Sequence, residues 1–526
     1  MKIKFPAMLT IVVLACCPSG CKTRSDIKNT GHDTPNIIFI MADDLTSQAI
    51  TAYGSIYDSL AQTPNIDRLA EEGILLNNVF CTNAICGPSR ACIITGKYNH
   101  INGYYKNESG GKFNPDQWTF PEELHKHGYQ TAMFGKWHLG TEPVGFDQFK
   151  FHQGAGQQGF YWDPVYNENG QTVKEKGYAT NLTTDFALEW LEKAATSDKP
   201  FCLLLQFKAP HRNWEPDSMY MDLWEEIEMP YPETFNDDYK TREKTAGDTE
   251  MTMDYLNRKD MKMTPPEDLE GQDLVQWNSY GNRPGEIVYP DKSLSPEENR
   301  KRKYQVFIKD YLACVKSVDD NIGRVLDYLD QEGLAKNTMV IYTSDQGFYL
   351  GEHGWFDKRF IYEESLRMPF LVRYPEVIKA GTANSDIITN IDFAPTILEA
   401  AGIPVPDEVQ GRSFFSNLQG NTPEDWQQSM YYHYYEFPYW HHVQPHYGMR
   451  NQRYVLAHYY YNIDVWEFFD LEKDPHELVN GIDNPEYADM IDNMKEELHR
   501  LMVKYQDDKS LDEFRAITDT DFGKLE

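Results

Sequence analysis

Six short apolar runs, separated by helix-like stretches, constrain the fold of this chain more than any other feature. The first run, Asn36 to Met41, is continuous and is followed by the acidic pair Asp43-Asp44. A continuous run of this length is typical of a strand buried on both faces, as in a parallel sheet. The other runs that predict strands are Ile74 to Phe80, Gln130 to Phe134, Phe201 to Phe207, Thr338 to Thr343 and Phe370 to Arg373.

Helical patterns fall between these strands. Thr63 and Pro64 predict the start of one helix, because proline is favoured in a first turn. The other predicted helices are Leu182 to Ala195, Tyr304 to Gln331 and Phe393 to Ala401. This alternation predicts an α/β fold with a large mixed, mostly parallel sheet between layers of helices.

Changes in composition divide the 526 residues further. Residues 215–302 are rich in Met, Pro and acidic residues and have weak periodicity, which indicates a long insertion within a main domain of residues 35–420. Residues 421–526 begin with aromatic, hairpin-like runs at Tyr431 to Tyr435 and Tyr454 to Phe469 and end with an amphipathic helix near Tyr487 to Lys504. We expect a smaller C-terminal α+β subdomain with an antiparallel sheet and a terminal helix.

The first 21 residues predict an exported bacterial lipoprotein. An apolar run, Met8 to Ala15, follows a basic start and is too short to span a bilayer. Residues 13–16 resemble a lipobox, residues 22–34 form a polar tether, and a cleaved signal without lipid is the alternative. We expect the periplasm or the outer-membrane surface as the location, with membrane attachment only through a lipid. The candidates for lipidation are Cys16, Cys17 and Cys21.

The charge of the chain limits its ligands. Acidic residues number 82 and basic residues 50, which gives a formal net charge of −32. This balance argues against nucleic-acid binding and against electrostatic docking on an anionic membrane. An anionic ligand would need a local cluster of cations, a metal or a helix N-terminus. Aromatic residues make up 14% of the chain, which fits a surface that packs against sugars or equally a Tyr-rich core and rim.

The cysteines beyond the signal region predict neither disulfides nor zinc. Their number is odd, their spacing is irregular, and no C-x-x-C pair occurs. One of them can therefore have chemistry of its own. The five residues are Cys81, Cys86, Cys92, Cys202 and Cys314.

The most informative segment runs from Cys86 to Gly96. Pro88 suits a first helical turn, so Cys86 lies at a helix N-terminus, where the dipole and free N–H groups stabilise an anion and lower the pKa of a thiol. Arg90, one turn on, can reach back toward Cys86. Cys86-x-Pro88-Ser89-Arg90 followed by Thr95-Gly96 resembles the signature of the type I, formylglycine-dependent sulfatases, and matching segments recur in the family's order over nearly the whole chain.

The resemblance implies an alkaline-phosphatase-like sulfatase fold and a modified nucleophile. A separate maturation enzyme would oxidise Cys86 to Cα-formylglycine. The hydrated aldehyde then offers one hydroxyl to attack sulfur and a second whose deprotonation expels sulfate. The resemblance also implies a calcium ion, with Mg²⁺ as the less favoured alternative, because hard oxygen ligands suit these ions better than zinc. Its ligands would be modified Cys86, Asp43, Asp44, Asp345 and Gln346, the last at a position where Asn is more usual in the family.

A cationic and acid–base set is implied in the same way. Alternation in an extended segment would place Lys136 and His138 on one side of the chain. By resemblance, Lys136 binds sulfate, and His138 takes the proton that triggers sulfate release. His211, after Ala209-Pro210, would be the general acid that protonates the leaving sugar oxygen. Lys358 would be the second sulfate-binding lysine, and Arg90 completes this catalytic set.

The segment Glu352 to Arg359 is similar to that of bacterial carbohydrate sulfatases of the N-acetylglucosamine-6-O-sulfatase type. Asp357 and Arg359 flank the sulfate lysine, so we expect them to bind O3 and O4 of a terminal sugar, which makes the enzyme exo-acting. A salt bridge that only orders the loop is the alternative. His353 would support the site. His446 would close the pocket, and Trp440 or Tyr439 would stack on a sugar ring.

The predicted substrate is a 6-O-sulfate of N-acetylglucosamine in a heparan-type glycosaminoglycan or mucin glycan. We expect the protein to be a monomer whose partners are a sulfated oligosaccharide and the maturation enzyme. The alternatives are another sulfated sugar (6-sulfated galactose or N-acetylgalactosamine), a phosphatase or phosphodiesterase of the same superfamily, and a glycan-binding lipoprotein without catalysis. The superfamily phosphatases usually carry Ser or Thr with two metals, which Cys86 disfavours.

Overall fold

The computed structural model describes residues 34–108, 113–257, 259–262 and 293–522. The predicted signal peptide and nearly all of the tether lie outside these residues. The strands are β1 (Asn36–Ala42), β2 (Ile74–Leu76), β3 (Val79–Phe80), β4 (Gln130–Gly135), β5 (Gln148–His152), β6 (Val165–Glu168), β7 (Gln171–Lys174), β8 (Phe201–Phe207), β9 (Thr338–Ser344), β10 (Tyr349–Leu350), β11 (Phe356–Asp357), β12 (Phe370–Arg373), β13 (Thr382–Asn384), β14 (Ile388–Thr389), β15 (Ser429–Tyr434), β16 (His446–Asn451), β17 (Tyr454–Tyr459) and β18 (Val465–Asp470).

Ten of these strands form one mixed sheet in the order β13-β2-β12-β9-β1-β8-β4-β5-β6-β7. The five central strands, β9-β1-β8-β4-β5, are parallel, and β12 runs antiparallel to β9. In this register Ala42, the last residue of β1, lies beside Ser344 of β9 and Phe207 of β8. The strand ends that follow therefore lie side by side. The predicted fold class, a large and mostly parallel sheet, is confirmed.

Helices lie on both sides of this sheet. The helix Pro296–Gln331 begins two turns before its predicted start, because Ser295 and Glu298 form a capping box and Pro296 occupies the first turn. The remaining α-helices of the described residues are Pro64–Glu71, Cys86–Thr95, Asn99–Asn102, Phe120–Lys126, Ala179–Ala194, Glu363–Leu366, Phe393–Ala400, Phe415–Leu418, Ala488–Tyr505 and Leu511–Asp519. Among the described residues, no helix combines the length and apolarity that crossing a bilayer requires.

The two faces of the sheet pack into separate cores. Phe39 and Met41 of β1 belong to one core, and Ile38 and Ile40 belong to the other, all of them almost fully buried. Burial on both faces explains why β1 reads as a continuous apolar run. The sheet therefore forms a rigid support for whatever follows its strands.

One predicted strand, Ile74 to Phe80, is wrong in extent. The strand is interrupted at Asn77 and Asn78, so that β2 joins the large sheet while β3 pairs with β14. Arg367 stabilises this interruption of the strand, because its guanidinium donates to the carbonyl of Asn77 and, at 2.7 Å, to Asn78 Oδ1. A polar pair inside an apolar run was the signal for this change of sheet.

The C-terminal part of the chain forms a four-stranded antiparallel sheet, β15-β16-β17-β18, which the helix Ala488–Tyr505 covers. The strand β16 had not been predicted. The connection from β15 to β16 passes by the active site, as described below. The domain limits at 420 and 421, and the limits of the 215–302 insertion, stay predictions.

Candidate active site

The candidate active site lies where four adjacent parallel strands end. Asp43 and Asp44 follow β1, and Asp345 and Gln346 follow its neighbour β9. On the other side, β8 leads to His211, and β4 ends directly before Lys136. Because the carboxyl ends of parallel strands meet at one edge of a sheet, short sequence motifs far apart in the chain arrive at one place.

Buried carboxylates and buried cations alternate in this site. Lys136 forms an ion pair with Asp43. Lys358 Nζ lies 2.6 and 2.7 Å from the two oxygens of Asp44. Isolated charges would not be tolerated at this depth, so the pairing is what allows three carboxylates to be buried together.

The carboxylates do not titrate alike. Burial raises the pKa of Asp44 to about 7, although Lys358 opposes the shift. Burial also acts on Asp43, but the charges of Lys136 and Arg90 overcome it, and the pKa of that carboxyl falls well below its usual range. Negative charge is therefore retained on Asp43 at any physiological pH.

The oxygen atoms of this group fit a hard divalent cation. Asp43 Oδ1 and Gln346 Oε1 are buried and accept no hydrogen bond from any residue that the structure describes. Ligand atoms of Asp43, Asp44 and Cys86 lie within 4.8 Å of one another. Carboxylate and amide oxygens favour Ca²⁺ or Mg²⁺ over zinc. The set that the sequence suggested is brought together, with Asp345 beside Asp44 through a 3.2 Å hydrogen bond from the Asp44 N–H to Asp345 Oδ1.

Cys86 is the first residue of the helix Cys86–Thr95, as expected, and it is buried. The expected lowering of its thiol pKa is wrong. Burial raises the pKa of the Cys86 thiol to about 12, and the nearby Lys136 and Lys358 only moderate the effect. An unmodified Cys86 is thus a neutral thiol near pH 7, so a thiolate nucleophile is disfavoured.

Arg90 does not reach back to the thiol as its principal contact. Its Nε donates to Asp345 Oδ2 at 2.9 Å, and its Nη1 donates to the Lys136 carbonyl at 2.7 Å and to Gln206 Oε1 at 3.0 Å. One guanidinium thereby links the residues that follow or lie on β9, β4 and β8. Its role is to fix the strand ends relative to the helix that carries Cys86.

The segment after β4 turns sharply instead of continuing as an extended strand. Gly135 has φ 108°, and a Cβ there would lie 1.8 Å from the Gln206 carbonyl oxygen, so only glycine fits. His138 also has a positive φ, 59°, so simple alternation does not explain its position. Burial and then the charge of Lys136 lower the pKa of His138 well below its usual value.

His211 is oriented by backbone contacts. Its Nδ1 lies 2.8 Å from the carbonyl of Arg212, and Tyr161 donates its hydroxyl to the carbonyl of His211 at 2.6 Å. A carbonyl only accepts, so Nδ1 carries the proton and Nε2 is the nitrogen that gains or loses one. Nε2 lies 3.8 Å from Asp44 Oδ2. Burial and Lys136 lower the pKa of His211 well below its usual value.

The loop that carries Lys358 is strained. Asp357 and Arg359 have φ of 82° and 101°, a region that residues with a side chain rarely adopt. Asp357 Oδ1 accepts from the Lys358 N–H at 2.9 Å and from Arg359 Nε at 3.2 Å. The salt bridge that was the alternative interpretation is therefore present. The salt bridge uses Nε of Arg359, whose Nη2 donates to no described residue. The pair can therefore order the loop and still bind a ligand.

The structure corrects the expectation for His446. This residue lies in β16, is fully buried, and accepts the Ile361 N–H at 3.1 Å through Nε2 while its Nδ1 lies 2.8 Å from the Gln444 carbonyl. Both ring nitrogens are used by the backbone, and Tyr459 stacks on the ring. His446 is thus a core residue and cannot close the pocket.

The histidine that does approach the loop is His441, which sequence reasoning missed. His441 Nε2 lies 3.3 Å from Asp357 Oδ2. Tyr439 and Trp440, directly before it, are 59% and 44% exposed and so are available to a ligand. The repeated aromatic and His residues between Tyr439 and His442 were the available signal. His353 supports the loop from behind, with Nδ1 2.8 Å from Asp237 Oδ2.

Together these features define a hydrolase for an anionic ester, with a buried oxygen cluster that suits a divalent cation, two lysines and two histidines around one helix N-terminus. The chain belongs to the sulfatase family: residues 35–403 match the family model described as Sulfatase, and residues 351–504 match the one described as N-sulphoglucosamine sulphohydrolase, C-terminal. It is a sulfuric ester hydrolase, as the sequence predicted.

Individual relatives agree. The chain is 45% identical over 491 residues to the N-acetylglucosamine-6-O-sulfatase of Bacteroides thetaiotaomicron, covering 90% of this chain and 87% of the relative. A solved structure in complex with D-glucosamine-2-N,6-O-disulfate superposes with a TM-score of 0.83 at 42% identity, over 91% of this chain and 99% of that one. The phosphonate monoester hydrolase of Agrobacterium radiobacter shares the fold at 19% identity, with a TM-score of 0.65 over 90% of this chain and 96% of its own.

Proposed function

We propose that this sulfatase removes the 6-O-sulfate from a terminal N-acetylglucosamine or N-sulfated glucosamine of a glycosaminoglycan or mucin-type glycan. The observation that carries the proposal is the placement of Asp357 and Arg359 on either side of Lys358, a lysine that contacts the carboxylate group of the site. The similarity to a 6-O-sulfatase of N-acetylglucosamine, and to a structure bound to a 6-sulfated glucosamine, supports the same substrate class.

Asp357 and Arg359 would recognise the sugar through its ring hydroxyls. A carboxylate accepts from one hydroxyl and a guanidinium donates to its neighbour, a geometry that suits the vicinal O3 and O4 of a terminal sugar. The exposed Tyr439 and Trp440 would lie against the sugar chain beyond the pocket. A requirement for free O3 and O4 makes the enzyme exo-acting.

The reaction would use Cys86 in its formylglycine form, produced by a separate maturation enzyme, and a calcium ion at Asp43, Asp44, Asp345 and Gln346. The hydrated aldehyde would supply the nucleophilic oxygen, which would pass its proton to a carboxylate of the site as it bonds to sulfur, and the bound ion would lower the cost of the charge that develops on the sulfate. Lys136 and Lys358 would bind the sulfate oxygens. His211, neutral in the free site, gains a proton when an anionic ester adds negative charge beside it and delivers that proton to the departing sugar oxygen. His138 accepts a proton from the nucleophile when sulfate leaves.

The location and assembly of the enzyme complete the proposal. An exported lipoprotein on the periplasmic or outer surface, acting as a monomer, suits a substrate that is a large extracellular glycan. Labelling with a radioactive fatty acid, followed by substitution of Cys16, Cys17 and Cys21 in turn, would identify the lipidated residue.

The substrate is tested by a panel of defined sulfated sugars. Protein produced together with an active maturation system is assayed on the 6-sulfates of N-acetylglucosamine, N-sulfated glucosamine, galactose and N-acetylgalactosamine. Release from the two glucosamine derivatives, and much slower release from the two galactose-configured sugars, is expected, because inversion at C4 moves O4 away from Arg359. Release from galactose-configured sugars alone would refute the proposed substrate.

A further inference from the structure

Arg359 is held by a residue from a distant part of the chain. Its Nη1 donates to Glu436 Oε1 at 2.8 Å and to the Tyr434 hydroxyl at 2.8 Å. Glu436 lies two residues beyond the end of β15 and is only 1% exposed. With Nε on Asp357, three of the contacts that orient this guanidinium are thereby defined, and Nη2 donates to no residue in the described part of the chain.

The second oxygen of Glu436 is anchored to the segment that borders the nucleophile helix. Glu436 Oε2 accepts the N–H groups of Asn107 and Glu108 at 2.8 and 3.0 Å. Asn107 Oδ1 in turn accepts the N–H of Gly87, the residue after Cys86, at 3.1 Å. A single buried carboxylate therefore joins the sugar-side guanidinium to the backbone beside the nucleophile. Charge-assisted hydrogen bonds of this kind are short, directional and strong.

We propose that Glu436 is a positioning residue that sets Arg359 at a fixed distance from the nucleophile and so determines which sulfate ester reaches it. Both carboxylate oxygens of Glu436 are occupied by Arg359, Asn107 and Glu108, so Glu436 acts through Arg359 and does not touch the sugar. The arrangement restricts the freedom of an otherwise flexible side chain, so that binding of the sugar hydroxyls does not have to order it. This inference rests on the proposed function of Arg359 in sugar recognition.

The test is a double-mutant cycle with Glu436→Gln and Arg359→Gln. In Glu436→Gln the amide oxygen can still accept from Asn107 and Glu108, but the amide nitrogen cannot accept from Arg359. The variant therefore removes one arm of the contact and leaves the other. We expect kcat/KM on the preferred 6-sulfated sugar to fall about tenfold, since one charge-assisted hydrogen bond is lost. In the Arg359→Gln background, the same change should alter kcat/KM less than about twofold, because the residue it positions is gone.

Two further readouts separate positioning from a purely structural role. 4-Nitrophenyl sulfate carries no sugar hydroxyls, so Glu436→Gln should leave its hydrolysis within about twofold of wild type. Glu472→Gln, at an exposed carboxylate paired with Arg453, is the matched control and should change neither substrate. Equal losses on sugar and aryl sulfates, or an undiminished effect of Glu436→Gln without Arg359, would overturn the proposal.

Failure of the proposed function would look different. If wild-type enzyme prefers another sulfated sugar, the cycle is measured on that sugar, and only the substrate assignment is wrong. Calorimetry provides a readout without turnover when the wild type, Glu436→Gln, Arg359→Gln and the double variant all carry Cys86→Ala. In this background, Glu436→Gln should raise the dissociation constant of the preferred sulfated sugar about tenfold when Arg359 is present. It should have little effect when Arg359 is replaced. A rise that does not depend on Arg359 would contradict the positioning role.

Discussion

Two regions of the site are built in different ways. We call the residues at the strand ends the catalytic floor, and it consists of Asp43, Asp44, Cys86, Lys136, His211 and Asp345. We call the other region the recognition wall, and it consists of Asp357, Arg359, Glu436 and His441. The floor lies at the edge of one rigid sheet, with Cys86 brought there by the helix Cys86–Thr95, whereas the wall joins a strained loop to residues about eighty positions later in the chain. The comparison teaches that the reaction and the choice of substrate have separate structural supports, and can be perturbed separately.

The largest loss of activity should come from removing the nucleophile. Cys86→Ala removes the residue proposed to become formylglycine, so sulfate release should fall by about 10⁴-fold or more on sugar and aryl sulfates alike. Initial-rate assays on both substrates measure it. The nearby Cys92→Ala, in the same helix but with its Sγ hydrogen-bonded to Thr82 and Asn102 instead of facing the carboxylates, should keep most of the activity. Survival of sulfate release in Cys86→Ala would remove Cys86 from the mechanism.

Loss of the proposed cation should also affect both substrates. Removing it leaves Asp43 Oδ1 and Gln346 Oε1 without a partner and the sulfate charge uncompensated, so activity should fall by about 10²-fold or more. Dialysis against a calcium-selective chelator, then addition of Ca²⁺ or Mg²⁺ in turn, measures the loss and identifies the ion. Full activity after exhaustive chelation, with no metal found by mass spectrometry, would contradict a cation in the floor.

Substitution of His211 tests whether this residue of the floor protonates the leaving group. A sugar alkoxide needs protonation as it departs, whereas nitrophenolate does not, so His211→Ala should lower kcat on the sugar ester by about 10²–10³-fold and far less on the aryl ester. The exposed His476→Ala is the matched control. Equal losses on the two esters would assign His211 to binding or folding instead of proton transfer.

Unlike loss of the nucleophile or the cation, substitutions in the recognition wall should affect the sugar ester selectively. Asp357→Asn and Arg359→Gln each remove a charged partner of a sugar hydroxyl, so kcat/KM on the sugar should fall about 10–100-fold. Hydrolysis of 4-nitrophenyl sulfate should change less than about threefold. Analogues that lack O3 or O4 should be hydrolysed equally by wild type and by the variant that lost the corresponding contact. A general loss on both substrates would mean that the Asp357–Arg359 pair only orders the Lys358 loop.

The floor could be predicted from the sequence and much of the wall could not. Strand ends are marked by short apolar runs, and parallel strands bring their carboxyl ends together whatever the loop lengths, so Asp43, Asp345 and Lys136 converge predictably. The wall depends on contacts between Arg359 and Glu436 and between Asp357 and His441, which lie about eighty residues apart. No local pattern encodes such pairs. The thiol pKa of Cys86 was misjudged for a related reason, because the depth of burial is a property of the whole fold.

Substitution of His446 should have the smallest effect on activity. It tests whether this residue belongs to the recognition wall or to the core behind it. Burial lowers the pKa of His446 to about 3, whereas an unfolded chain has a histidine pKa near 6.5. Between these values the unfolded state binds a proton that the folded state does not, so this residue lowers stability as pH falls from 6.5 toward 3, by up to about 1.4 kcal/mol per pH unit.

His446→Phe removes that penalty together with two backbone hydrogen bonds. At pH 7.5 the variant should be less stable than wild type by about 1–3 kcal/mol, because the Ile361 N–H is left without its acceptor. The deficit should shrink as pH falls below 6.5, and kcat/KM at pH 7.5 should stay within about twofold on both substrates. Urea unfolding at several pH values measures the first and steady-state assays the second. A selective loss on sugar sulfates would return His446 to the pocket, whereas a constant deficit at all pH values would mean that the buried imidazole is protonated in the folded state.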